Sequence, residues 1–525
     1  MKSSVHLLSL GCAKNLVDSE VMLGVLLKAG HPIERNQKDA DVVIINTCGF
    51  VENSKQESIN AILEANQLRS LRPGQKLLVA GCMAQRYAKE LQKELPEVAA
   101  FIGINEVPRV HEIITSLEVQ SSKVSANIPE PAIKNPKSEI PNPQSFVTRR
   151  PTYLYDFSTP RYQLTPRHYA YLKVGEGCNH PCAFCSIPLM RGRHRSRTLE
   201  DVESEAQSLI QRGVKELLLI SQDTTYFGKD LGVPDGLSQL LTRLNAIDGD
   251  FWIRILYTHP AHWNERLMET IASCPKVCRY VDIPLQHIHD AMLLRMRRET
   301  SRAHIENIIT RLRTMIPEIT IRTTFIVGFP GETETHFETL LDFVRKTRFE
   351  RLGVFEYSQE DGTVAGRMDQ QIPARVKRSR REQLMLVQQK ISSELMTARV
   401  GQTMRILVEK NGKCLVGRAE SDAPEIDGRV LLRGRGWREG RFQRATIMDS
   451  TEYDLIGCPA SEAPPPEVVA SFDFIFAKPR RSPSPPSPKA LARPVPRHSI
   501  HPEGFRDGFP RRGEVLWKRM AKAGN

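Results

Sequence analysis

Three apolar runs that each end on a cysteine frame this chain. HLLSLGC closes at Cys12, VVIINTC at Cys48 and LLVAGC at Cys82. The intervals, 36 and 34 residues, each suit one strand plus one helix. In an open parallel sheet the C-terminal ends of the strands share one edge, and ligands gather there. Three thiols remote in sequence would then converge. Three thiolates could hold three irons of an iron–sulfur cluster and leave the fourth iron open. The plainer reading is three small buried core residues.

The rest of the chain divides by pattern. With 525 residues and about 150 per domain, three or four domains are expected. Residues 1–120 form the unit with the repeated cysteines. Residues 121–165 turn to Ser, Pro, Asn and Lys (NIPEPAIKNPKSEIPNPQS) and read as a linker. From 166 to 397 strands alternate with helices, the strands being Tyr169–Val174, Glu216–Ser221, Trp252–Leu256, Tyr280–Pro284, Thr320–Val327 and Arg351–Tyr357. Such βα repeats predict an α/β fold, a parallel sheet or partial barrel with its active-site loops at the strands' C-terminal ends. From 398 to 462, short strands with Gly turns (RILVEKNGKCLVGRAE, GRVLLRGRG) predict a small β-barrel. Residues 463–525 carry twelve Lys/Arg, five Asp/Glu and twelve prolines, a basic tail expected to be disordered. That tail supplies +7 of the net +13, so the basic balance says little about the folded part. No run is long and apolar enough to predict a membrane span, and a cytoplasmic monomer is the expectation.

A second triplet is tightly spaced. Y-L-K-V-G-E-G-C-N-H-P-C-A-F-C-S-I-P places Cys178, Cys182 and Cys185 in C-x3-C-x2-C, just after a predicted strand. Three thiolates within eight residues can wrap one face of a 4Fe-4S cube. Zinc is the competing ligand, with His180 as a fourth donor from inside the loop.

This triplet, with Phe184 before its last cysteine, resembles the radical S-adenosylmethionine (SAM) signature. N-T-C-G-F at 46–50 and A-G-C at 80–82 resemble the methylthiotransferase N-terminal domain, and the final barrel resembles a TRAM domain. L-T-P-R-H-Y-A-Y-L-K at 164–173 and D-A-P-E-I-D-G at 422–428 are similar to the RimO family, which modifies ribosomal protein S-twelve. The resemblance implies two 4Fe-4S clusters. One, on Cys178, Cys182 and Cys185, binds SAM and generates a 5′-deoxyadenosyl radical. The other, on Cys12, Cys48 and Cys82, carries the sulfur to be inserted. The implied product is 3-methylthioaspartate, with an electron donor and a sulfur donor as further partners.

Other segments fit a SAM pocket or a substrate surface. Gln222 and Asp223 end a predicted strand in S-Q-D, and Gly328 and Gly331 lie in V-G-F-P-G-E-T after another. Ordinary strand-to-helix turns would look the same. His287 in P-L-Q-H reads as structural, and M-R-R-E at 296–299 as a solvated helix face. Cys274, Cys278, Cys414 and Cys458 also read as structural. In the barrel, Glu420, Asp422, Glu425 and Asp427 crowd one turn. An exposed acidic edge there would attract a basic protein loop and repel phosphate. Arg433, Arg435 and Arg438 stand against that reading as a basic face. A tRNA methylthiotransferase of the MiaB type and a non-enzymatic iron–sulfur protein are the alternatives.

Overall fold

The computed structural model describes residues 2–69, 71–126, 144–412 and 414–461; the tail at 463–525 lies outside the described residues. The first unit runs β1 (Val5–Ser9), α1 (Ala13–Lys28), β2 (Val42–Thr47), α2 (Glu52–Arg69), β3 (Lys76–Gly81), α3 (Cys82–Glu94), β4 (Ala100–Ile102), α4 (Val110–Ala126), β5 (Gln144–Phe146). All five strands are parallel, in the order β1-β2-β3-β4-β5. β2, VVIINT, is buried at every position, as befits a parallel strand covered on both faces.

The second unit runs β6 (Tyr169–Lys173), β7 (Gly175–Glu176), α5 (Ile187–Arg191), β8 (Arg195–Ser196), α6 (Leu199–Gln211), β9 (Glu216–Ile220), α7 (Gly236–Ala246), β10 (Trp252–Ile255). It continues α8 (Glu265–Ser273), β11 (Val277–Asp282), α9 (Asp290–Arg295), α10 (Arg302–Met315), β12 (Thr320–Val327), α11 (Glu334–Thr347), β13 (Arg351–Glu356), α12 (Ala374–Thr397). Six parallel strands stand in the order β13-β12-β11-β10-β9-β6. Several helices start on capping side chains: Thr198 for α6, Ser301 for α10, and a Thr333–His336 capping box for α11. Period-two alternation then sorts the strand residues. Leu217, Leu219, Ile253, Ile255, Val281 and Ile321 join the core beneath the helices. Tyr169, Tyr171, Leu218, Ile220, Trp252 and Tyr280 join a core shared with α1 and the third unit.

That third unit is a closed barrel of β14 (Thr403–Asn411), β15 (Cys414–Ala419), β16 (Val430–Leu432), β17 (Phe442–Ser450) and β18 (Leu455–Pro459), in the order β14-β15-β16-β18-β17. The α/β class, the parallel sheets and the small barrel all match expectation. Among the described residues no helix is long and apolar enough to cross a membrane.

Two expectations change. The segment read as a linker, 121–165, is in part built into the body. α4 runs on to Ala126, and β5 adds a fifth strand beside β4. Tyr155 is buried, and Arg161 bridges Glu20 and Glu205, each at 2.6 Å. A three-residue strand with one apolar residue carries no periodic signal, so composition alone reads it as linker.

The acidic turn is the second correction. Glu420, Asp422, Glu425 and Asp427 form no exposed edge; they dock the small barrel onto the central sheet. Asp422 pairs with Arg351, and the Tyr169 hydroxyl donates to Glu425 at 2.7 Å. The Tyr280 hydroxyl donates to Asp427 at 2.7 Å, and the Arg279 backbone N–H to Glu420 at 2.5 Å. Beside them Glu216 is fully buried between Arg254, at 2.7 Å, and Arg418. Guanidiniums set into the buried face of a sheet require anions, and this turn supplies them.

Removing one member of that set should be costly. Glu216→Leu takes the carboxylate from buried Arg254 and one of the two from Arg418, which keeps Glu409 at 2.7 Å, and a loss of about 3–5 kcal/mol is expected. The exposed control Glu439→Gln should stay within about 0.5 kcal/mol. Thermal midpoints and urea titrations of the two variants check this.

Candidate functional site

The first triplet lies on the edge that the parallel order creates. Cys12 stands between β1 and α1, Cys48 follows β2, and Cys82 opens α3 directly after β3. Gly11 (φ +87) permits the close approach: a Cβ there would lie 2.8 Å from the Cys48 Cβ and 3.2 Å from its Sγ. Cys48 and Cys82 are buried, and Cys12 is exposed. Burial pushes the Cys48 thiol up to about 12, with Cys82 and Cys12 adding to it. Burial pushes Cys82 up to about 11, against the Arg191 guanidinium.

The second triplet follows β7. Its loop is pinned by backbone bonds: Cys178 N–H to the Gly192 carbonyl at 3.1 Å, Ala183 N–H to Met296 at 2.9 Å, and Cys185 N–H to Cys182 at 3.2 Å. Two donors aim at sulfur. Arg298 Nη1 lies 3.4 Å from the Cys182 Sγ, and the Ile187 backbone N–H 3.5 Å from the Cys185 Sγ. The two triplets are neighbours. Ile187 and Met190, just beyond Cys185, pack with Cys82, and Arg191 Nε donates to the Cys82 Sγ at 3.2 Å.

Between them lies a charge network that sequence reasoning missed. Arg191 donates to Asp18 at 2.6 Å and to Glu176 at 3.1 Å; Lys173 reaches the same two carboxylates at 2.7 and 2.8 Å. All four residues are at most 2% exposed. Against the burial that would raise it, Arg191 and Lys173 hold the Glu176 carboxyl down at about 2. The available signal was polar residues in apolar elements: Lys14 and Asp18 one turn apart on α1, and Lys173 ending the apolar strand β6.

The other sequence candidates have protein partners. Gln222 accepts from Gly177 N–H at 2.7 Å and donates to Glu176 at 2.5 Å, so it braces the cysteine loop. Asp223 accepts from His180 Nε2 and His262 Nδ1, each at 2.8 Å. Phe184 packs against the apolar group of Met296, Phe329 and Tyr357. The open sides of Gly328 (φ +70) and Gly331 (φ +81) are filled by Lys377 and Arg295. His287 is structural, fully buried against Glu332 at 3.3 Å.

Two readings change here. M-R-R-E is only in part a solvated face: Arg297 and Glu299 are exposed, but Met296 is core, Arg298 is 4% exposed on Cys182, and Glu299 accepts from His180 at 2.6 Å. A short turn leading out of α9, and not a regular helix face, carries Met296 and Arg298 inward. The fourth-ligand role of His180 fails too, because both its ring nitrogens face carboxylates. His180, His259 and His262 instead form a compact group beside Asp223, with His180 and His259 stacked at 3.6 Å. Among the other cysteines, Cys274 and Cys278 are buried core and Cys414 is exposed.

The donor sets fit iron–sulfur clusters. Each triplet offers three sulfurs without a fourth protein ligand among the described residues, and each has a cation within 3.4 Å of a sulfur to offset thiolate charge.

Two such thiol triplets on the edges of adjoining parallel sheets, with a small barrel docked behind, are the architecture of a radical SAM methylthiotransferase. Residues 4–103 match the uncharacterized protein family UPF0004, residues 172–344 the radical SAM superfamily, and residues 400–459 the TRAM domain. The ribosomal protein uS12 methylthiotransferase RimO of Opitutus terrae is 50% identical over 477 residues, covering 88% of this chain and 97% of that protein. Its counterparts in Akkermansia muciniphila and Heliobacterium modesticaldum are 45% and 43% identical, covering 87% and 86% of this chain and 99% and 94% of theirs. This chain belongs to the RimO family.

Exposure predicts an order of thiol reactivity. In metal-free protein, iodoacetamide should modify Cys12 and Cys414 first and Cys278 only on unfolding. Cluster assembly should then protect Cys12 and leave Cys414 reactive. Mass spectrometry of the digested protein reads both.

Proposed function

We propose that this chain methylthiolates the β-carbon of an aspartate in ribosomal protein uS12, giving 3-methylthioaspartate by radical SAM chemistry. The observation that carries the reading is the adjacency of two thiol triplets across the Arg191–Cys82 contact. Cys178, Cys182 and Cys185 would hold the cluster that binds SAM, and Cys12, Cys48 and Cys82 the second cluster. Clusters and SAM together supply the one-electron chemistry that takes hydrogen from an unactivated carbon and delivers sulfur and methyl to it. The chain's own residues prepare the site. Arg298, Arg191 and the Ile187 N–H offset charge on the sulfurs. Gln222 fixes the loop that carries Cys178. An acid–base pair is not required, because a radical removes the hydrogen. An electron donor and a sulfur donor complete the cycle, and the site of action is the cytoplasm, where ribosomal protein is made.

One observation favours a second reading, contact with RNA. Once the acidic turn is buried, the barrel presents Arg433, Arg435, Arg438, Arg441 and Arg444, all exposed, with Trp437 among them. Exposed guanidiniums beside an aromatic ring suit phosphate and base stacking. The strong kinship to uS12-modifying enzymes favours the protein substrate, and the arginine loop makes tRNA the control to run.

Anaerobically reconstituted protein should carry two clusters, about eight irons per chain. Ala at Cys178, Cys182 and Cys185 should leave about four irons and abolish SAM cleavage. Ala at Cys12, Cys48 and Cys82 should also leave about four but retain cleavage. Offered uS12 and tRNA in parallel, the intact enzyme should place the methylthio mass on an aspartate of the protein. Methylthio-adenosine in the tRNA, with the aspartate unmodified, would overturn the assignment.

A further inference from the structure

Lys14 is the one lysine in this region without an acid. It is 7% exposed, two residues past Cys12, on the first turn of α1. Its Nζ lies 3.1 Å from the centroid of the Tyr257 ring. No hydrogen bond or ion pair engages the ammonium among the described residues.

The carboxylates nearby are all occupied. Asp18 and Glu176 serve Lys173 and Arg191. Asp282 accepts from Arg322 at 2.8 Å and from the Tyr257 N–H at 3.0 Å. Lys173 and Arg191 thus take both Asp18 and Glu176, Arg322 takes Asp282, and no carboxylate is bonded to the Lys14 ammonium. A buried ammonium without a hydrogen-bond acceptor is costly, and a π-face offsets only part of that cost.

The backbone beneath it is strained as well. Tyr257 holds φ +59, a left-handed conformation that a bulky residue rarely adopts. Two bonds enforce it: its N–H to Asp282, and Thr224 N–H to its carbonyl at 2.9 Å. Such strain persists where function requires the geometry. Here it stands the ring at the end of β10 under the ammonium, beside the first triplet.

We propose that Lys14 binds the side-chain carboxylate of the substrate aspartate and so positions its β-carbon between the two thiol triplets. The inference rests on the function proposed above. It adds a residue that selects an acidic side chain over a neutral one. The bound carboxylate supplies the acceptor that the ammonium lacks, and the Tyr257 ring fixes the height of the ammonium. A charge-assisted hydrogen bond in so dry a place is strong and sensitive to loss of charge. Lys14 is here a positioning residue; it takes no part in bond making.

The test compares binding of two proteins to the reconstituted enzyme without SAM, by fluorescence anisotropy: uS12, and uS12 with Asp→Asn at the modified position. Wild type should prefer the aspartate form by roughly tenfold or more, the worth of one hydrogen bond to a charged group. Lys14→Met should bind both forms alike, and Lys14→Arg should keep much of the preference. Iron content, read on the same samples, should be equal in all three. Persistence of the aspartate preference in Lys14→Met would overturn the proposal. So would a loss of iron in Lys14→Met, which would assign the ammonium to the cluster. A wild type that binds neither protein but modifies tRNA would remove the uS12 assignment, and this inference with it.

Discussion

The molecule is organised around four buried charges. Asp18 comes from the first unit; Lys173, Glu176 and Arg191 come from the second. Two anions and two cations at bonding distance neutralise one another, which is what permits them to lie dry. Their geometry joins α1 to β6, β7 and α5, and so sets the distance between the two cysteine triplets. Arg191 carries that constraint onto sulfur itself, at Cys82. A salt bridge of this kind adds little net stability over an apolar pair, but removal of one partner is severe. Its value lies in registry: it admits one docking of the two sheets, the one that sets thiol beside thiol.

The same logic operates at the opposite contact. Arg254, Arg322 and Arg351 line a sheet face that also carries Tyr169 and Tyr280, and the barrel supplies Glu420, Asp422, Glu425 and Asp427 to meet them. A third pair of latches joins α2 and α3 to the segment after β13, where Lys55 and Arg86 reach Glu360 at 2.8 and 3.0 Å. Each interface between units is thus specified by buried charge, with apolar packing around it. The shared core that runs from Val5 through Tyr171 to Leu407 makes the three units one body.

This division explains what could be read from the chain beforehand. The strand-then-cysteine repeats and the C-x3-C-x2-C spacing are local patterns, and a parallel sheet turns them into a site without further information. Five of the six long strands of the central unit were legible to within one residue because each is a short apolar run, whereas Val277–Asp282 begins three residues before the expected Tyr280. The acidic turn was not, because its meaning depends on arginines some 70 to 170 residues away in other strands. Read alone, four acids in one turn suggest a solvated surface. Lys173 and Arg191 escaped notice for the same reason, since a charged residue in an apolar run shows its purpose only once its partner is placed. Arg298 was misread because a turn, and not a helix, carries it.

The burial of the acidic turn also changes where substrate selection can reside. An exposed acidic edge would have chosen a basic loop at long range, through a field that salt screens. With those carboxylates committed to Arg351, Tyr169 and Tyr280, the exposed surface of the barrel is basic, and its field does not discourage RNA. Discrimination must then operate at short range, near the triplets, where the Lys14 ammonium stands without a bonded carboxylate above the Tyr257 ring. Selection in a dry site is less dependent on salt than selection by a surface field, because solvent ions do not reach it. A chain built this way could tolerate an arginine-rich outer loop that touches the nucleic acid around its substrate, and still act only on a carboxylate.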